Sequence, residues 1–115
     1  MQFAILIYGN EAAMMAMTEA EKATMHGAYM AYSEALVAAG VMRGGERLKP
    51  SPTAASVRIV AGKSEVLNGP YAETREQLGG FYLIDVADMD QALAWGARCP
   101  GASHGTIEVR PIWTM

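Results

Sequence analysis

Glu73, Arg75 and Glu76 follow closely on the turn Asn68-Gly69-Pro70, and Tyr71 opens the polar stretch that carries them. A tight turn that feeds charged side chains toward a strand is a way of placing them at a pocket rim. Two carboxylates beside a guanidinium suit proton transfer: a carboxyl raised in pKa by burial acts as general acid or base, while arginine holds an anionic substrate. The last strand of the chain adds Glu108 and Arg110, and the turn before it adds His104. Glu73, Glu76, His26 and His104 are therefore the candidate catalytic residues. Asn68, Tyr71, Arg75, Glu108 and Arg110 are candidates for binding substrate. His26 sits about 100° from the centre of an apolar helix stripe, on a border shared with Lys22 and Ser33, where a histidine is ordinarily just surface.

Other chemistries fit the sequence poorly. Cys99 is the only cysteine and there are two histidines, too few to close a zinc site without carboxylates, so no metal and no cofactor is expected. Cys99 before Pro100 at a helix end lacks the electropositive setting of a reactive thiol. No G-x-G-x-x-G or phosphate-cradling loop is present. The net charge of −3 comes from interspersed charges without a basic stripe, which argues against nucleic acid. The βαββαβ order is shared with RNA-recognition domains, but the strand near Phe81 lacks their basic lead residue and aromatic triplet. A single cysteine and the lack of a leader-like or membrane-spanning run lead one to expect a cytoplasmic protein without a membrane partner.

The elements that must position these residues follow from pattern. At 115 residues, 51% of them apolar, the chain has the size and composition of one globular domain, 1–115. Gln2 to Tyr8 reads as a buried strand, and Glu11 to Met17, without a clear period, as an irregular turn. Thr18 and Glu21 form a capping-box pattern for a helix whose stripe is Met25, Tyr29, Tyr32, Leu36 and Ala39, ending at Gly40. Val41 to Leu48 is a strand with a bulge at Gly44-Gly45. Ala55 to Val60 and Ser64 to Leu67 flank Gly62-Lys63 as a hairpin. Phe81 to Val86 is the next main strand. Asp88 caps a second helix that buries Met89, Ala92, Leu93 and Ala97, with Trp95 off that face. Thr106 to Trp113 closes the chain, with Ile107, Val109 and Trp113 on one face and Glu108, Arg110 and Ile112 on the other.

That order is α+β: a ferredoxin-like βαββαβ arrangement with an extra β-hairpin. Two helices cover one face of such a sheet, yet the strands at Phe3 and Phe81 are apolar on both faces. A second copy of the chain, packed sheet against sheet into a dimeric α/β-barrel, is the simplest cover, so a homodimer is expected. Glu108 and Arg110 then point into the space between the sheets, where they must pair with each other or serve a ligand.

With these residues in hand, the chain resembles the DGPF branch of the YCII-related family. The family's Asp-Gly-Pro-Phe signature stands as Asn68-Gly69-Pro70-Tyr71, followed by an intact run from Ala72 to Phe81, AETREQLGGF. Ile107-Glu108-Val109-Arg110-Pro111 is similar to the family's closing strand, and Gly44-Gly45-Glu46 to Pro50 to its segment after the first helix. The resemblance implies a dimeric α+β barrel. It also brings in a related group with a dehydrochlorinase-like lyase and a His-Asp pair, whose histidine position falls on Tyr29 here, with His26 one turn earlier. Tyr29 thereby joins the substrate-binding candidates. Asn68 removes the charge of the signature aspartate. Some members resemble partners of extracytoplasmic-function sigma factors. Two functions stay open: a lyase- or isomerase-like enzyme on a small anionic metabolite, and a non-catalytic regulatory or protein-interaction module.

Overall fold

The computed structural model of the chain describes residues 1–114. The first strand, β1, spans Gln2–Gly9. Asn10 then caps a short helix, α1, Glu11–Met15, its side chain accepting from the Ala13 N–H at 2.9 Å. The sequence reading expected an irregular turn here. A run of Ala and Met too short to show a period is still a good helix former once its first turn is capped. The long helix α2, Glu19–Ala38, opens with the expected capping box: Glu21 N–H donates to Thr18 Oγ1 at 3.1 Å, and Thr18 N–H donates to Glu21 Oε1 at 3.0 Å. It closes in a Schellman turn, with Gly40 at φ +73° and Val41 N–H bonded to the Leu36 carbonyl at 3.2 Å.

After β2, Met42–Arg47, comes a hairpin of β3, Ala55–Val60, and β4, Lys63–Asn68; then β5, Gln77–Asp85, α3, Met89–Arg98, and β6, Thr106–Pro111. Ala61 and Gly62, at φ +51° and +79°, form the hairpin's two-residue turn. The turn lies one residue earlier than the expected Gly62-Lys63, because a primed turn needs two positive φ values while Lys63 stays extended opposite Val60. The main sheet has the order β2-β5-β1-β6, every pair antiparallel, which is the ferredoxin-like βαββαβ topology with β3–β4 inserted as the extra hairpin. The bulge expected at Gly44-Gly45 appears as a register shift between Met42 and Gly44.

Helices α2 and α3 lie on one face of the sheet. Phe3, Ile5 and Ile84 are fully buried there with Leu36, Tyr32, Ala92 and Cys99. The face α3 presents differs from the expected one. Leu93 and Ala97 are exposed, while Ala92 and Gly96 are buried and Trp95 packs beside Tyr32. Gly96 decides this: a Cβ there would stand 3.0 Å from Val109 Cγ2, so the helix seats on β6 through its smallest residue. Trp113 also departs from expectation. It lies past the end of β6 and is exposed rather than sharing the buried face of Ile107 and Val109.

The opposite face shows the apolar rows that the two-faced strands predicted. Leu6 stands between Phe81 and Glu108, Ala4 between Leu83 and Arg110, and Tyr8 between Leu78 and Thr106. The β3–β4 hairpin pairs within itself and makes at most slight contact with any other strand or helix among the described residues. With this arm standing off the body, the radius of gyration is 16.0 Å; a compact chain of this length would have about 13 Å.

Candidate functional site

The signature segment after β4 returns the chain to the end of the main sheet, where β1 leaves and β5 begins. Arg75, Glu76 and Asn10 line an open-sided cleft of about 570 Å³ there. Glu76 is the best-positioned of the candidate carboxylates. Its Oε1 accepts from Thr106 Oγ1 at 2.7 Å, linking the signature segment to the first residue of β6. Thr74 donates its hydroxyl to the Glu76 carbonyl, and Gln77 Nε2 donates to the Thr74 carbonyl, so the segment is tied to itself just before β5. Asn10 also lines the cleft; its Oδ1 is used in capping α1, which leaves its amide nitrogen available as a donor. Arg75 makes no ion pair among the described residues. A free guanidinium, an amide donor and a carboxylate thus share one opening.

The cleft is braced from below. Glu11 N–H donates to Gln77 Oε1 at 3.0 Å, while the Glu11 carboxylate accepts from the Ser51 N–H at 2.7 Å and from Ser51 Oγ at 2.6 Å. This clasp joins the start of α1, the loop that leads into the arm and the start of β5.

Glu108 and Arg110 lie on the open face of β6, two residues apart, as the strand parity required. They pair with each other: Arg110 Nε donates to Glu108 Oε2 at 2.9 Å, and its terminal nitrogen contacts the same oxygen. Both donors converge on one oxygen, which leaves Glu108 Oε1 free. Thr106 shares this face by the same parity, so the Glu76–Thr106 bond and the Glu108–Arg110 pair form one polar row beside Tyr8, Leu6 and Ala4.

The remaining candidates are scattered. Glu73 and Tyr71 are exposed, Tyr71 to 80%, and Asn68 ends β4 opposite Ala55. His26 is exposed on α2. His104 opens instead into an apolar groove of about 770 Å³ between α2 and the segment after α3, together with Glu21, Arg98, Met17 and Met25. The structure therefore brings Arg75 and Glu76 to one end of the sheet, sets Glu108 and Arg110 further along its open face toward the other end, and puts neither histidine in the cleft. No three His, Cys, Asp or Glu side chains converge as a metal site among the described residues, and no helix is long and apolar enough to cross a membrane.

The sequence profile of the YCII-related domain matches residues 1–115. The chain belongs to the YCII-related family. An uncharacterized protein of Rhizobium meliloti (strain 1021) is 40% identical to it over 114 residues, covering 97% of this chain and 92% of that protein.

In this YCII-related chain Tyr29 stands at the helix position where the resemblance implied a histidine. Its ring is half-buried beside Cys99 and Gly101, with the core rather than in the cleft. Burial, reinforced by the neighbouring Cys99, holds its hydroxyl far above the ordinary tyrosine range, so Tyr29 is protonated at neutral pH and acts only as a neutral hydroxyl. Nearby, Tyr32 Oη donates to the Trp95 carbonyl at 2.7 Å, and Ser33 Oγ and Tyr82 Oη lie 2.8 Å apart, polar ties between α2, α3 and β5. Sequence reasoning missed Asn10, Thr106 and the Glu11–Ser51 clasp. Thr106 was within reach, since it shares parity with Glu108. The clasp was not, because it depends on how three separate segments meet.

Proposed function

We propose that this YCII-related protein works as a homodimer that binds a small anionic metabolite at the Asn10–Arg75–Glu76 cleft. Arg75 and the Asn10 amide hold the anionic group, and Glu76 transfers a proton in a lyase- or isomerase-like reaction. The observation that supports this reading most is the unpaired Arg75 guanidinium in the same cleft as a carboxylate. Thr106 orients Glu76 toward that space. The half-buried apolar face, with its self-paired Glu108 and Arg110, suits burial against a second sheet, since a paired charge costs less to desolvate than a lone one.

The test is equilibrium binding and product analysis by NMR over a panel of small carboxylates and phosphates, with the native chain, Arg75→Met and Glu76→Gln. Arg75→Met is expected to weaken binding at least tenfold, in line with about 1.5–3 kcal/mol for a charge-assisted hydrogen bond. Glu76→Gln is expected to keep binding and lose turnover by about 10²-fold or more. Binding unchanged in Arg75→Met would refute the cleft as the site.

A second reading draws on the engagement of Glu76 by Thr106 and of Glu108 by Arg110: a non-catalytic regulatory or interaction module, of the kind linked to extracytoplasmic-function sigma factors. In that case the panel shows binding without turnover in the native chain, or no binding while a protein partner is retained.

A further inference from the structure

Two pieces of chain wall the cleft, Asn10 ahead of α1 and Arg75–Glu76 ahead of β5, and one side chain ties them together. Gln77 accepts at Oε1 from the Glu11 N–H at 3.0 Å and donates from Nε2 to the Thr74 carbonyl. The two partners are opposite in kind. The Glu11 N–H belongs to the first turn of a helix and has no intrahelical acceptor, whereas the Thr74 carbonyl is an acceptor next to Arg75. A carboxamide carries a matching acceptor and donor on one plane; a carboxylate only accepts, and an apolar isostere does neither. Register explains why Gln77 points this way. Ile7 pairs with Gly80 but Tyr8 pairs with Leu78, so Gly79 is an extra residue on β5. A bulge of one residue reverses the faces taken by the side chains beyond it. Counted back from Phe81 without the bulge, Gln77 would share the open face with Leu6. With it, Leu78 joins Tyr8 there, and Gln77, opposite Gly9, turns to the other face and meets the Glu11 N–H.

We propose that Gln77 is the positioning residue of the candidate site: its carboxamide sets the wall that carries Asn10 against the wall that carries Arg75 and Glu76. Each wall is anchored separately, Asn10 within α1 through the Ala13 N–H and Glu76 to Thr106 on β6. Beyond the Gly9–Gln77 pair that ends the ladder, the Gln77 side chain makes the hydrogen bond that joins the walls among the described residues. Its far end is firm, because the Glu11 carboxylate is held in turn by Ser51. Its near end reaches Arg75 through the backbone: Gln77 holds the Thr74 carbonyl, the Thr74 hydroxyl holds the Glu76 carbonyl, and Arg75 lies between. Gln77 is half-buried while Arg75 is exposed, so the guanidinium takes its place from the backbone that Gln77 fixes. Asn10 and Arg75 act together on one anion only when both are within reach of it, and a misplacement of about 1 Å in such a site costs up to about 10²-fold. The inference rests on the cleft proposed above as the ligand site, but not on the reaction.

The test is NMR of the isotope-labelled full chain, native, Gln77→Met and Gln77→Glu. It combines backbone relaxation, amide exchange and a titration with inorganic phosphate followed at the Arg75 Nε–H and the Asn10 side-chain amide. In Gln77→Met the order parameters of Thr74, Arg75 and Glu76 are expected to fall below about 0.6 while the sheet keeps its native values. Exchange of the Glu11 amide is expected to quicken about tenfold, and phosphate affinity to drop about tenfold or more. Gln77→Glu separates the two bonds. The Glu11 amide stays protected, because a carboxylate still accepts, while the segment loosens and phosphate weakens as in Gln77→Met. A merely structural role would lower protection throughout the sheet and leave the two variants alike at Glu11. A segment as ordered as the native one in Gln77→Met, or native phosphate affinity there, would overturn the proposal. If Gln77→Met does not fold, Gln77→Glu decides on the same two readings. If the native chain leaves phosphate unbound, the cleft fails as an anion site and relaxation judges Gln77 by itself. A loosened segment then keeps it as the residue that positions these walls, and an ordered one overturns that as well.

Discussion

Cys99 is 1% exposed, and burial pushes its thiol above the ordinary 9.0, partly offset by hydrogen bonds from Gly101 and Tyr29. Tyr29 and Tyr32 are likewise raised well above 10, burial being the main cause and the neighbouring Cys99 the next. All three groups favour their neutral form in the fold. The unfolded chain ionises first as pH rises, so their contribution is complete below about pH 9 and is lost progressively as pH climbs through the folded values. The urea midpoint should hold steady from pH 7 to pH 9 and fall above about pH 10. At neutral pH the thiol should react with a disulfide reagent more than 100-fold slower in the native chain than in urea. A thiol that reacts fast at pH 7.5 without unfolding would contradict the buried placement. At this scale the sequence was informative where strand parity applied. Alternation alone put Glu108 and Arg110 on one face, and would have put Thr106 there too. It could not reveal that Glu76 reaches Thr106, because that bond spans β1 and depends on two registers at once. Nor could it separate His104 from the cleft: two residues from Thr106 in the chain, it opens on the helix side.

Among the elements, α2 was the most legible, since both of its ends carry chemical punctuation. The Thr18 N–H and then its hydroxyl hold Glu21 below the ordinary carboxylate pKa of 4.5. A lowered carboxylate stabilises above its unfolded pKa, so this capping contribution is present above about pH 4.5 and is lost as pH falls through the folded value. Thr18→Ala should cost about 1 kcal/mol at pH 7, read as a lower urea midpoint, and most of that difference should persist at pH 3, because the lost hydroxyl accepts from the Glu21 N–H while alanine keeps the Thr18 N–H that holds the carboxylate. An unchanged midpoint at pH 7 would show that the first turn is held by packing instead. Helix α3 was less legible. Its apolar pattern favoured Leu93 and Ala97, whereas close approach to β6 chose Gly96, a preference that side-chain hydropathy cannot express. The short α1 was hidden for another reason: five residues contain too little of a turn to show periodicity.

For the whole molecule, the topology followed from the order of elements, and the two-faced strands pointed to a missing cover. What the sequence did not convey was that the hairpin stands free of the sheet, because its alternation looks the same packed or projecting. The homodimer proposed above would cover the open sheet face and so add stability. Its Tm should therefore rise with protein concentration, by several degrees between about 1 and 100 μM; a Tm independent of concentration over that range would mark a self-sufficient monomer.

The Glu11–Ser51 clasp has a mechanical consequence. The six-residue strands of the arm make a lever about 20 Å long, so a tilt of roughly 10° at its base swings the tip by about 3–4 Å, close to the width of a methyl group. A small change at the Glu11–Ser51 bonds, just before the arm leaves the body, would therefore be multiplied at its tip into a displacement the size of a side-chain contact.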